Sequence, residues 1–409
     1  MHLRHLSLVN YRNYVRLELS LPAGLTLVQG QNAQGKSNLL EAIAFLATTR
    51  SPRTAADTEL INWLAREDPY PYTRLAAEVQ RGDRLEQLDI TLLPGSNGDT
   101  FRKQARVNSI NRRALDMVGI LLVVLFRPED VDLVAGPPGQ RRRYLDLSLC
   151  QLDPAYCRAL SEYNKALSQR NALLRGLRER ERQAAQQLRF WDEKLSETGA
   201  LVIARRQWLV NALSAEASLR HLDLSGGAER LHIRYLPSFD PGQPPSGRSN
   251  GAASETGVSY ATLAPEGVRA IFAAQLHSGR SRDIAAGLTL HGPHRDDIGF
   301  FLGDRNLRNF GSRGQQRTAA LASKMAELDI MTTAGGVTPL LLLDDVMSEL
   351  DANRRAMLLD ALHIVPQAIV TTTDWRHFDH DLLAAALKLH VQDGQLHPAA
   401  LQSEGMTKR

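Results

Sequence analysis

Residues 30–37, Gly30-Gln31-Asn32-Ala33-Gln34-Gly35-Lys36-Ser37, fit the spacing G-x-x-x-x-G-K-[ST], which suits phosphate. Successive backbone N–H groups of such a loop, backed by the positive end of the next helix, form a concavity for phosphate oxygens. Lys36 would reach the β- and γ-phosphates of a nucleotide, and the Ser37 hydroxyl would hold Mg2+. A coincidental glycine turn is the plain alternative. A second group, Leu340-Leu341-Leu342-Leu343-Asp344-Asp345, ends four large apolar residues in two acids. Asp344 would hold Mg2+, directly or through water, and Asp345 would orient or deprotonate an attacking water. Two carboxylates at a strand end can also simply cap the next helix. The third group, Gly311-Ser312-Arg313-Gly314-Gln315-Gln316, precedes a helical pattern, and a serine with two glycines at a helix start is a second anion site. One domain has no second triphosphate to fill it. A head-to-tail pair of subunits, each offering this loop to the other's γ-phosphate, is the economical solution; a solitary helix cap is the bland one.

These groups need elements to carry them. Residues 25–29 read as a buried strand and 37–46 place apolar residues at helical spacing, so strand, loop and helix come in the required order. Alternation over residues 3–28 predicts two strands feeding the loop strand, joined at Asn10-Tyr11-Arg12-Asn13-Tyr14. That turn is open to two readings, contact with adenine or DNA, or a plain hairpin. Residues 49–54 are basic and polar: Arg50 or Arg53 could touch phosphate or ribose, or line a solvated loop. Short strands at 75–79, 88–93 and 106–110, with a turn over 94–99, predict an antiparallel layer, and 121–126 is an apolar run suited to a strand buried on both faces. Beyond Gly136, two seams of apolar residues, from Leu160 to Leu177 and from Leu188 to Leu213, predict two antiparallel helices of a compact lobe. Their charged tip at 175–182 reads as a solvated hairpin tip in preference to a DNA patch. Residues 236–257, rich in Pro, Gly and Ser, read as a disordered loop. A helix over 265–276 and strands at 288–290 and 298–302 come next.

Composition narrows the classes. A chain of 409 residues with 43% hydrophobic content fills a core for two or three domains. No run reaches the roughly 18 apolar residues of a spanning helix, and the N-terminus has no apolar signal core, which predicts a cytoplasmic protein. Cys150 and Cys157 are too far apart for a Cys-x-x-Cys pair and are expected as reduced thiols on one helix face. A net charge of +4 permits a polyanion partner without demanding one. Were that polyanion DNA, as the resemblance given below implies, the candidate contacts would be Arg102, Lys103, Arg112, Arg113, Arg141, Arg142 and Arg143, directed mostly at phosphates and hence salt-dependent.

With these pieces placed, the chain resembles the ABC-type ATPases in their SMC-like branch, and within it the RecF family of bacterial recombination mediators, over nearly its whole length. The ABC signature, typically Leu-Ser-Gly-Gly-Gln, maps onto 311–315, with Ser312, Gly314 and Gln315 matching. Asp344 and Asp345 map onto the family's acidic pair, and residues 348–351 onto the turn after that pair. Residues 10–14, 126–130, 136–146 and 291–297 carry the narrower resemblance. The last, His291-Gly292-Pro293-His294-Arg295-Asp296-Asp297, could be misread as a metal cluster; the resemblance explains it as a structural and nucleotide-side loop.

The resemblance implies an α/β fold, an ABC-type ATPase head (a P-loop NTPase with an antiparallel β subdomain) plus an inserted helical lobe. The expected parts are 1–136, a helical lobe over 137–287, and 288–409 with the signature and acidic pair. It implies ATP and Mg2+ as cofactors. Nucleotide contacts fall to Gly30, Gln31, Asn32, Ala33, Gln34, Gly35, Lys36, Ser37, Ser312, Gly314 and Gln315, metal ligation to Ser37 and Asp344, and catalysis to Lys36 and Asp345. It also implies an ATP-dependent DNA-binding protein of recombinational repair and replication restart, dimeric on ATP and bound to gapped DNA at a single-strand/double-strand junction. RecR and RecO mediators, RecA loading and the SOS response come with it, and no membrane.

Three departures fit slow hydrolysis, a weak DNA-dependent ATPase used as a binding switch. Asp345 stands where most ABC proteins have glutamate, Arg313 replaces the signature's first glycine, and Thr371-Thr372-Thr373-Asp374 occupies the usual place of the switch histidine. The competing readings are an ABC ATPase subunit of a membrane transporter and a P-loop kinase. The long helical lobe and the wide gap between phosphate loop and signature speak against the first; a kinase needs no signature loop.

Overall fold

The computed structural model describes residues 1–54, 56–95, 101–176, 181–239 and 264–399. Two compact units result: Met1–Pro128 with Val337–Arg409, and Glu129–Gly336. The first unit opens with β1 (His2–Tyr11), β2 (Tyr14–Ser20) and β3 (Gly24–Gln29), then α1 (Lys36–Thr48). It continues through β4 (Thr73–Arg81), β5 (Arg84–Pro94), β6 (Phe101–Val107), β7 (Ile110–Arg112) and β8 (Val123–Phe126). The second unit holds α2 (Asp132–Ala135), α3 (Pro138–Leu152), α4 (Pro154–Gly176), α5 (Glu181–Leu224), β9 (Leu231–Leu236), α6 (Pro265–Ala286), β10 (Asp297–Leu302), β11 (Arg305–Asn306), α7 (Leu307–Phe310) and α8 (Arg313–Gly335). The chain returns to the first unit with β12 (Leu340–Asp344), α9 (Ala352–Ile364), β13 (Gln367–Thr372), α10 (His380–Ala385), β14 (Leu387–Gln392) and β15 (Gln395–Pro398).

Two sheets build the first unit. An antiparallel sheet in the order β2-β1-β4-β5-β6-β7 turns Leu3, Leu6, Leu8, Leu75, Val79, Ile90 and Leu92 into the core, as the period of two requires. The other runs β15-β14-β3-β13-β12-β8, parallel from β14 to β8 with β15 antiparallel at its edge. β12 lies inside this sheet, so both its faces are covered and every residue of Leu340–Asp344 is buried. Each of its leucines contributes roughly 1.5–3 kcal/mol by leaving water. The register pairs Thr372 with Gln29 and Asp344 with Thr371, so the C-terminal ends of β3, β13 and β12 arrive at one edge. That edge is where a parallel α/β sheet binds its ligand.

In the second unit α5 is the spine, packed against α4, α6, α8 and β9. Ion pairs Glu162–Lys194 and Arg170–Asp192 set α4 and α5 antiparallel, matching the predicted helix pair. Tyr163, Leu195, Val202, Leu209, Leu213, Phe272 and Ile330 share the core beneath them. A short sheet in the order β11-β10-β9 completes the unit.

Several sequence expectations need correction. Residues 106–110 are no continuous strand: Asn108 and Ser109 have φ of +51° and +64° and make the turn between β6 and β7. Residues 288–290 are irregular, because the Thr289 N–H and hydroxyl both donate to Asn171 Oδ1, at 2.8 Å each. Cys150 and Cys157 sit on different helices, α3 and α4, since Asp153 ends one and Pro154 starts the next. The expected break after residue 287 falls inside the second unit, where β10 pairs with β9 and α8 packs on α5. Most of the 236–257 loop, the core of the 175–182 tip and the turn residues 96–99 lie outside the described residues. Among the described residues no helix is long and apolar enough to cross a membrane.

Candidate functional site

The phosphate loop bridges the end of β3 and the start of α1, and its outermost residues Gln31, Asn32 and Ala33 are exposed. Gly35 caps α1 with φ +116°, a conformation L side chains rarely adopt, and a Cβ there would meet Asn13 Nδ2 at 2.6 Å. The loop is curled around the Lys36 ammonium, which donates to the carbonyls of Gly30 at 2.5 Å and Gln31 at 3.3 Å. Burial lowers the Lys36 pKa, and the nearby carboxylates of Asp345 and Asp344 oppose that shift.

The acidic pair meets the loop directly. Ser37 Oγ donates to Asp344 Oδ1 at 2.8 Å, and the buried Thr371 hydroxyl donates to the same oxygen at 3.0 Å. Thr371 Oγ1 also accepts the Asp345 N–H at 3.0 Å, so one side chain fixes both acids. Asp345 has φ +51°, a left-handed backbone that turns its carboxylate off the strand path. Its Oδ1 is buried with no hydrogen-bond partner among the described residues. An orphaned buried carboxylate oxygen beside a lysine, a serine and a second carboxylate fits a triphosphate with a divalent ion.

Two hairpin turns clasp the loop from outside. Asn13 donates through Nδ2 to the Gln34 carbonyl at 2.9 Å and accepts from Asn38 Nδ2 at 2.8 Å, while the Tyr14 hydroxyl donates to the Gly35 carbonyl at 3.0 Å. From the β14–β15 turn, Gly394 N–H reaches the Gln34 carbonyl at 3.2 Å and Asp393 N–H reaches Gln34 Oε1 at 2.6 Å. Below them Arg12 makes a bidentate pair with the buried Glu41 at 2.9 and 2.8 Å, and Arg53 donates to Asn38 Oδ1 at 2.8 Å. The turn at residues 10–14 is thus a brace on the phosphate loop. Asn13, Gln34 as a clasped residue and Thr371 carry no local motif that marks these contacts; the visible trace of Thr371 is a polar residue closing an otherwise apolar strand.

Gly311, Ser312, Gly314 and Gln315 lie at the start of α8 in the second unit, with Ser312, Arg313 and Gly314 exposed. Ser312 is the N-cap and makes a reciprocal capping box with Gln315.

Two of the proposed DNA contacts are withdrawn. Arg141 is 2% exposed and forms a bidentate ion pair with Asp297 at 2.7 and 2.8 Å, because α3 carries it into the core opposite β10. Lys103 donates to the Thr49 carbonyl at 2.8 Å, pairs with Asp57 at 3.0 Å and lies over the Phe45 ring. Arg142 donates to the Asp296 carbonyl at 2.9 Å, and Arg113 pairs with Asp116 at 3.0 Å. Arg102 and Arg112 are exposed. The histidine-aspartate run at 291–297 is a structural knot: His294 bonds the Tyr163 hydroxyl at 2.7 Å, and Asp296 accepts from the Tyr235 hydroxyl at 2.5 Å and the Ser238 N–H at 2.7 Å. No metal-binding cluster of His, Cys, Asp and Glu exists among the described residues.

The RecF/RecN/SMC N terminal domain family matches residues 2–391. The chain is 42% identical to the DNA replication and repair protein RecF of Chloroflexus aurantiacus, over 97% of this chain and 99% of that one. It is 40% identical to that of Geobacillus thermodenitrificans, again over 97% and 99%. A solved structure described as the recombination mediator protein RecF-ATP in the RecFOR pathway superposes with a TM-score of 0.80 at 31% identity, covering 98% of each chain.

Proposed function

The chain belongs to the RecF/RecN/SMC N-terminal domain family with RecF proteins as full-length relatives, and from that membership we propose that it is an ATP-dependent DNA-binding protein of recombinational repair and replication restart. ATP joins two copies head to tail, and the pair captures gapped DNA at a single-strand/double-strand junction. The observation that carries this reading is the meeting of the phosphate loop and the acidic pair through Ser37 and Asp344 at 2.8 Å, with the buried Asp345 oxygen left unpartnered beside them.

When bound, Mg·ATP supplies a polyanion and a divalent ion whose charges the protein must match. The loop N–H groups from Gly30 to Ser37 and the Lys36 ammonium hold the phosphates, and Ser37 with Asp344 holds the ion. Asp345 orients water through a carboxylate one methylene shorter than glutamate, which suits slow hydrolysis and a switch role. The exposed Ser312 and Gly314 of a second copy, with the half-buried Gln315 behind them, close the site. Arg102 and Arg112 touch DNA phosphates. RecR and RecO serve as partners, with RecA loading and SOS induction arising from the assembly, and the protein works in the cytoplasm. Similarity to RecF proteins over 97% of the chain disfavours the transporter-subunit alternative.

The test is molecular mass by light scattering with and without Mg2+ and ATPγS. Wild type should dimerise, Lys36→Ala should stay monomeric without binding nucleotide, and Ser312→Arg should bind nucleotide yet stay monomeric. A normal dimer from Ser312→Arg refutes the two-copy site.

A further inference from the structure

Three hydrogen bonds tie the exposed Ser312 to the turn beyond the end of α5. Ser312 N–H donates to Gln315 Oε1 at 2.9 Å, Gln315 N–H donates to Ser312 Oγ at 3.2 Å, and Gln315 Nε2 donates to Glu229 Oε1 at 2.6 Å. A carboxamide is one planar group with a donor end and an acceptor end. The ionised carboxylate of Glu229 only accepts, so it takes the Nε2 end and turns Oε1 toward the Ser312 N–H. A bond to an ionised acceptor is roughly twice as strong as one between neutral groups, so Glu229 sets the orientation and Ser312 adapts to it.

Glu229 is itself anchored. Its N–H donates to Ser225 Oγ at 3.1 Å, and its carbonyl oxygen meets His221 Nδ1 at 3.1 Å and accepts from Ser225 Oγ at 3.2 Å. It stands between the end of α5 and the start of β9, the two elements that form one wall of the second unit's core. The chain therefore spends a half-buried acidic side chain of the turn that follows its main helical spine on one residue of the loop at 311–316. A lone helix cap has no need of that support, since Ser312 and Gln315 already satisfy each other.

We infer that Glu229 is a positioning residue for the trans phosphate site: acting through Gln315, it holds the Ser312 hydroxyl and backbone in the geometry that receives the γ-phosphate bound to a second copy. This rests on the two-copy reading above.

The experiment compares full-length wild type, Glu229→Ala and Glu229→Gln. Glutamine keeps an acceptor for Gln315 Nε2 and removes the charge; alanine removes both. Glu229→Ala should need roughly fivefold more Mg·ATPγS for half-dimerisation by light scattering. Glu229→Gln, which keeps only a weaker neutral acceptor, should fall between wild type and Glu229→Ala, and the affinity of the dilute, monomeric protein for Mg·ATPγS should be unchanged in all three. Amide hydrogen exchange across 311–316 without nucleotide should quicken most in Glu229→Ala. If wild type dimerises and Glu229→Ala does so equally well, the inference falls while the two-copy reading stands. If both variants shift dimerisation alike, the carboxylate acts by charge and positioning is refuted. If wild type remains monomeric with Mg·ATPγS, the two-copy reading fails and takes this inference with it.

Discussion

Ser37 and Asp344 are 307 residues apart in sequence, and the serine hydroxyl donates to the aspartate carboxylate at 2.8 Å. On the function proposed above, a divalent ion at this point would take the serine's lone pair and a carboxylate oxygen together, in place of this hydrogen bond. Asp344→Asn keeps oxygen and shape for Ser37 and Thr371 but removes the one carboxylate charge assigned to the metal. Calorimetric titration of the variant with ATP should give about tenfold weaker binding in Mg2+ than wild type, and little difference between the two proteins in EDTA. Equal Mg2+ dependence in both would remove Asp344 from the metal site.

The clasp on Gln34 gives a second expectation. A Cβ on Gly394 would lie 2.3 Å from the Asn13 carbonyl oxygen, and Gly394 has φ +72°. Gly82 has a similar φ of +58° with open space around it. Gly82→Ala should therefore cost about 1 kcal/mol from backbone strain alone. Gly394→Ala should cost on the order of 1–3 kcal/mol more and also weaken ATP binding several-fold, because the two turns must part to admit the methyl group. Denaturant midpoints and ATP titrations of the pair separate strain from clasp; unchanged ATP affinity in Gly394→Ala would show that the clasp does not shape the loop.

Charge candidates that look alike in sequence should separate in behaviour. Arg141→Ala leaves Asp297 without its buried partner and should destabilise the protein by roughly 3–5 kcal/mol, seen as a lower urea midpoint. Arg112→Ala, at an exposed position, should leave the midpoint alone and weaken DNA binding in a salt-dependent way, lowering the slope of log K against log salt by about 1. A DNA slope unaltered by Arg112→Ala would exclude that residue from the interface.

His294 supplies a pH test. Burial in the knot at 291–297, with Arg295, Arg142 and Arg170 also disfavouring the cation and the Thr289 carbonyl favouring it, lowers its pKa from 6.5 to about 4. The unfolded chain therefore binds a proton that the folded chain refuses between these values, and stability falls as pH drops through that window. Asp296 and Asp283 nearby are shifted upward by burial, an opposite contribution that both proteins in the comparison share. Relative to His294→Gln, wild type should lose about 1.4 kcal/mol per pH unit between pH 6.5 and 4. Parallel pH profiles for the two would mean that His294 takes up its proton as readily in the fold as in the unfolded chain.

Much of the site was legible because its parts are local. A phosphate loop draws its donors from consecutive backbone N–H groups, and its glycines, Lys36 and Ser37 answer the steric and electrostatic demands of that one turn. A strand covered on both faces must be apolar along its length, so Leu340 to Leu343 announced β12 and pointed to Asp344 at its end. Helical spacing likewise foretold α4 and α5.

What the tertiary structure alone decided is which side chains those elements bring within reach. Asn13, Asp393 and Gly394 act on Gln34 because β1–β2 and β14–β15 turn beside one sheet edge, and Thr371 serves both acids because β13 lies in register with β12. Sequence displays arginines and lysines by type, whereas burial sets their work: Arg141 is committed to Asp297, Lys103 to Thr49 and Asp57. Backbone geometry is encoded over a few neighbouring residues, but the desolvation and pairing of a charge depend on atoms hundreds of positions away, and only the folded chain fixes those distances.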